Sequence, residues 1–163
     1  MSVINGLPAH VLFVHFLVVL VPLTALLEIA CAVWPAARRG HLLWLAVILA
    51  VATIVLTPIT TDAGEWLYDL RRNPDPLLRE HAELGDTMIY FCVGLLVVAI
   101  ALVVLRLVER GSEQRRAVAN VAVVVLALAV GIAAIIQTYR IGDVGAQSVW
   151  GNQVAHLKQA NAK

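Results

Sequence analysis

The sequence predicts an all-α polytopic membrane protein, with four transmembrane helices in an up-down bundle and an extramembrane helical hairpin between the second and third. Three observations carry that reading. Of 163 residues, 61% are apolar and only 14% are charged, where a soluble domain carries roughly a quarter charged residues. Four apolar stretches reach the roughly 20 residues that cross a hydrocarbon core about 30 Å thick as helix. Each stretch is apolar all round, as lipid on one side and neighbouring helices on the other require. A net charge of +1 leaves no basic surface for nucleic acid and no acidic surplus for a solvated, disordered chain. The length holds one domain.

The spans fall at about 11–34, 42–60, 87–105 and 117–138, with an outer loop at 61–86 and a C-terminal tail at 139–163. The β-branched run at 121–125 does not argue for a strand, because a segment in lipid must satisfy its own backbone groups and a helix does so. The first stretch is too long for a signal-peptide core and has no positive residue before it. Arg38 and Arg39 follow it as a stop-transfer pair. Basic density near the helix ends sets the orientation: Arg38 and Arg39 lie in one short loop, and Arg106, Arg110, Arg115 and Arg116 in the other. Arg71, Arg72, Arg79, Arg140, Lys158 and Lys163 are spread over a long loop and a tail. Both termini and the 61–86 loop are therefore expected outside a cell membrane, inner or plasma. Cys31 and Cys92 fall at opposite depths, too far apart for a disulfide, and read as small packing residues.

The outer loop holds seven of the eleven acids. Asp62, Glu65 and Asp69 recur at helical spacing, so the second helix is expected to continue past the membrane surface. Asn73-Pro74-Asp75-Pro76 then makes a turn, and Pro76 suits the first position of the next helix. Beyond the fourth span, Trp150, Val154 and Leu157 are spaced as the apolar face of a short interfacial helix.

Four of the five histidines, His10, His15, His81 and His156, fall on the expected outer side; His41 falls on the other. His15 lies about one turn inside an apolar run, where an ionisable side chain is costly unless it faces the bundle and has a partner. It is the leading candidate for function. His10, five residues away, does not share its face in a regular helix.

At this point the residues resemble a known family. Gly6-Leu7-Pro8-Ala9-His10 followed by Leu12-Phe13-Val14-His15-Phe16 is similar to the opening block of a bacterial family of four-helix membrane proteins, the domain of unknown function 2231. There the block reads as His-Pro, two or three apolar residues, then His-Phe-Pro; Val11 and Leu17 replace both prolines here, and both histidines stand. Glu28 late in the first helix, His81 before the third, and a glycine-rich stretch at 140–151 match more loosely. The resemblance implies that the outer-side histidines belong to one site and adds no established activity.

Three readings of that site are open. In the first, His15 and His81, with His10 as a further candidate, ligate a b-type haem or another redox centre, Gly85 and Gly94 admitting the flat macrocycle; no CxxCH motif is present for covalent attachment. In the second, His10, His15 or His81 joins Asp62 and Glu65 around a transition metal or another handled ion. In the third, the chain is a non-catalytic partner of a larger membrane or redox complex, or of its own copies. Small residues of the fourth helix (Ala117, Ala119, Ala127, Ala129, Gly131, Ala133, Ala134) then permit close approach, and Asn120 and Gln137 supply interhelical bonds. Glu28, the one acid within a span, is expected to snorkel to the interface or relay protons. No phosphate-binding loop, nucleophile elbow or zincin helix marks an enzyme.

Overall fold

The computed structural model describes residues 3–4, 6–108 and 113–161, without the side chains of residues 4, 113–116, 152, 155, 156, 158, 159 and 161. Arg110, Lys163 and the side chains of Arg115, Arg116, His156 and Lys158 thus lie outside the described residues. Among the described residues, six helices follow an antiparallel hairpin of two short strands (β1 Val3–Ile4, β2 Leu7–Pro8), with Gly6 at φ 80°. They are α1 (Ala9–Val33), α2 (Pro35–Arg39), α3 (His41–Asp69), α4 (Pro76–Asp86), α5 (Met88–Val108) and α6 (Glu113–Asn161). Among the described residues, four stretches, Ala9–Val33, His41–Asp69, Pro76–Val108 and Ala117–Gly151, are long and apolar enough to cross a membrane.

The long helices form a ring in chain order: α1 packs on α3, α3 on α5, α5 on α6, and α6 back on α1. Each turns one stripe inward at alternating steps of four and three residues, the spacing that keeps a seam facing its neighbours. On α1 the stripe is Leu17, Val21, Thr24 and Glu28; on α3, Thr53, Thr57 and Thr60; on α5, Met88, Cys92, Leu95, Ala99 and Leu102; on α6, Ala127, Gly131, Ala134 and Thr138. Small α6 residues let helices approach without lipid between them; a Cβ at Gly131 would lie 2.9 Å from Ile29 of α1. Ala117 and Ala129 face outward. The outer faces are apolar, with Val19, Ile48 and Ile132 at least half exposed, as lipid contact requires.

The chain breaks follow their residues. Trp34 is extended ahead of Pro35, which disfavours helix in the residue before it and is itself well placed at a first helical position. Arg38, of the basic pair after α1, is only 2% exposed. Its guanidinium turns under the end of α1 and donates to the carbonyls of Cys31 (2.9 Å) and Ala32 (3.2 Å), which have no partner further along the helix, and to Asn120 Oδ1 of α6 (3.1 Å). Arg39 is exposed.

α3 runs on to Asp69, and α4 starts at Pro76 with the Asp75 side chain accepting from Leu77 N, both as the sequence implies. The hairpin differs in one respect: α4 packs chiefly against α6 instead of against the end of α3. At the α4–α5 break, Gln137 Nε2 of α6 donates to Thr87 Oγ1 (2.8 Å) and the Leu84 carbonyl (3.4 Å). The tail also departs from expectation, because α6 is continuous over 49 residues and no separate interfacial helix forms. Its glycines are isolated and no proline follows them, so each costs only about 1 kcal/mol, and packing on α4 holds the helix through Gly145.

Candidate functional site

Continuing the α1 stripe back from Leu17 gives Val14 and then His10; continuing α6 from Thr138 gives Ile141 and Gly145; α3 gives Gly64 after Thr60; and α4 places His81 and Gly85 ahead of Met88. One layer at this end of the bundle therefore holds two imidazoles and two glycines. His10 Nδ1 lies 2.9 Å from the Thr60 carbonyl of α3, and His81 Nδ1 lies 3.0 Å from the Ile141 carbonyl of α6. A carbonyl only accepts, so each Nδ1 carries a proton and donates it, which leaves Nε2 as the acceptor of the ring's neutral form. The two rings meet edge to face, with centroids 6.1 Å apart and planes at 87°.

The glycines make room for this. A Cβ at Gly64 would stand 2.8 Å from His10 Nδ1, and one at Gly145 would stand 2.8 Å from Nδ1 and Cε1 of His81. Beneath the rings is a cavity of about 60 Å³, walled by Val14, Leu17, Val21 and Met88 and edged by Thr57, Thr60 and Thr138. α4 carries Arg79, Glu80, Glu83 and Asp86 and forms the polar start of the stretch Pro76–Val108.

The remaining candidates are placed elsewhere. His15 is exposed on the outer surface of the bundle, with Nδ1 against the Val11 carbonyl of its own helix. It neither faces the interior nor approaches His81, so the imidazole brought to His81 is that of His10. The Asp62 and Glu65 side chains are exposed, and among the described residues no three His, Cys, Asp or Glu side chains converge as a metal cluster. Gly94 does not make space for a macrocycle, because Val130 fills it, 2.9 Å from where a Cβ would stand. Gly85 does border the cavity. Cys31 and Cys92 are free and buried in separate core clusters, and Cys92 Sγ lies 3.2 Å from Thr57 Oγ1.

At the opposite end of the core, Glu28 does not snorkel. It is 1% exposed, and neither carboxyl oxygen has a hydrogen-bond partner among the described residues.

Four apolar spans ringed into one bundle, with polar side chains turned inward, define a multi-pass α-helical membrane protein. The chain belongs to the family described as "Predicted membrane protein (DUF2231)", whose model matches residues 6–158. No curated protein and no solved structure matches it.

Proposed function

We propose that this protein holds a transition-metal ion at the end of the bundle that carries His10 and His81, and that this end faces out of the cell. The observation behind this reading is the imidazole pair itself. Metal-bound histidines usually give their second ring nitrogen to a carbonyl or carboxylate, which fixes tautomer and ring orientation. His10 and His81 both do so, from helices far apart in sequence. The two rings are close, with centroids 6.1 Å apart, and one ion at about 2 Å from each Nε2 would be shared once the ring that presents its face turns edge-on. A haem fits less well: pockets for molecules of drug size run to roughly 300–1,000 Å³, against about 60 Å³ here, so α1 and α4 would have to part.

The test is metal analysis and an ultraviolet-visible spectrum, before and after dithionite, on detergent-purified protein. The wild type should retain metal after dialysis, His10→Ala and His81→Ala should lose it, and His15→Ala should keep it. Equal metal content in all four proteins would overturn the assignment, and a Soret band lost in His10→Ala would restore the haem reading. Sidedness has its own check. A cysteine at Asn73 should react with an impermeant thiol reagent on intact cells and one at Ala36 should not; both positions are exposed, and the native Cys31 and Cys92 are buried.

A second reading, a partner subunit of a larger membrane assembly, is favoured by the far end of α6. There Trp150, Val154 and Leu157 are exposed on one side of the helix.

A further inference from the structure

We propose that the cavity beneath the imidazole pair takes up a small uncharged gas molecule, of the size and character of dioxygen, from the surrounding hydrocarbon. This site rests on the cavity alone and stands whether or not an ion binds above it. Close-packed interiors leave few voids larger than a water molecule. The space here is about 60 Å³, several times the ~10–15 Å³ that admits one water.

Water and ions do not suit it. No nitrogen or oxygen atom is exposed on its wall, and no carboxylate, lysine or arginine borders it. The four threonines at its edge donate to carbonyls of their own helix: Thr57 to Thr53, Thr60 to Leu56, Thr61 to Pro58 and Thr138 to Ala134. His10 and His81 give their Nδ1 protons to Thr60 and Ile141. A buried water needs roughly two to four polar partners, and an apolar cavity stays dry and accepts an apolar guest instead. Such a guest restores the dispersion contacts that the lining side chains lack across the void. The wall reaches Val18, which is 45% exposed on the outside of the bundle, so the guest enters from the side. Dioxygen, like any apolar solute, prefers hydrocarbon to water, and the opening lies on the hydrocarbon side.

The experiment places the full-length protein, with isotope-labelled methionine, leucine and valine methyls, in detergent with deuterated chains. Methyl relaxation is compared under dioxygen and under argon; dioxygen is paramagnetic, so the difference reports how closely it approaches each methyl. Met88 borders the cavity, whereas Leu95 and Leu102 are fully buried and do not. The dioxygen-dependent rate at the Met88 methyl should be about threefold or more above the rates at Leu95 and Leu102. Val14→Phe, which fills the space from a half-buried wall position, should bring Met88 down to their level. Xenon, an apolar probe that needs no hydrogen bond, should shift the Met88 and Val21 methyl signals of the wild type saturably. Equal rates at Met88, Leu95 and Leu102, or no saturable xenon shift, would overturn the gas site. An unchanged Met88 rate in folded Val14→Phe would remove the gas from this cavity and overturn it as well. In detergent with protonated chains, Overhauser contacts from acyl protons to the Met88 methyl would overturn the choice of guest, because a lipid tail would then fill the space.

Discussion

Arg38→Ala should destabilise the bundle by about 3–5 kcal/mol, because it strips partners from groups that stay buried. The guanidinium closes the end of α1 through the Cys31 and Ala32 carbonyls and ties it to α6 through Asn120. Arg38→Lys should recover only part of the loss, since an ammonium is a point donor that cannot span acceptors on two helices as the planar fork does. Asn120→Ala removes one of these contacts and should cost about 1–2 kcal/mol. Reversible unfolding in detergent micelles checks all three. Equal stability of Arg38→Ala and wild type would mean that the buried arginine is not a structural tie.

The second large effect compares two glycines three residues apart on α6. Gly145→Ala puts a methyl 2.8 Å from the His81 ring. The ring is held to the Ile141 carbonyl of the same helix, so it cannot move away without losing that bond. The expected cost is about 1–3 kcal/mol. Gly142→Ala meets nothing within 4 Å and should stabilise by about 0.5–1 kcal/mol through reduced freedom of the unfolded chain. Thermal unfolding of the two variants should therefore move in opposite directions. A shift of the same sign in both would show that the imidazole is not wedged against α6.

The four spans, the extension of α3 and the start of α4 were legible because each rests on local chemistry: apolar length, acids at helical spacing, and the Asp75-Pro76 pair. The choice between His10 and His15 was harder to read, because α1 is apolar all round and its periodicity does not announce an inward face. A signal was nevertheless present in the other polar residues of α1. Glu28 must turn inward in lipid, and His10 lies eighteen residues before it, about five turns at 3.6 residues each, whereas His15 is out of phase by roughly 140°. Thr24 supports the same phase. The roles of Gly64 and Gly145 were not readable from one chain, since an isolated glycine does not name the ring it makes room for. The burial of Arg38 was not legible, because a basic residue after an apolar helix normally signals topology and nothing local reveals that it folds back under the helix end.

The unbroken run of α6 has a mechanical consequence. A helix of 49 residues is roughly 74 Å long, more than twice the hydrocarbon thickness of about 30 Å. Position 156 lies fifteen residues beyond Ile141, or roughly 22 Å further along the helix, well past the level of the imidazole pair. The same length makes the exposed end a lever. A sideways pull on Trp150 or Leu157 would be carried down the rod to its last braced point, Gly145 against His81, so the imidazole pair would feel a load on the tip before the rest of the bundle does.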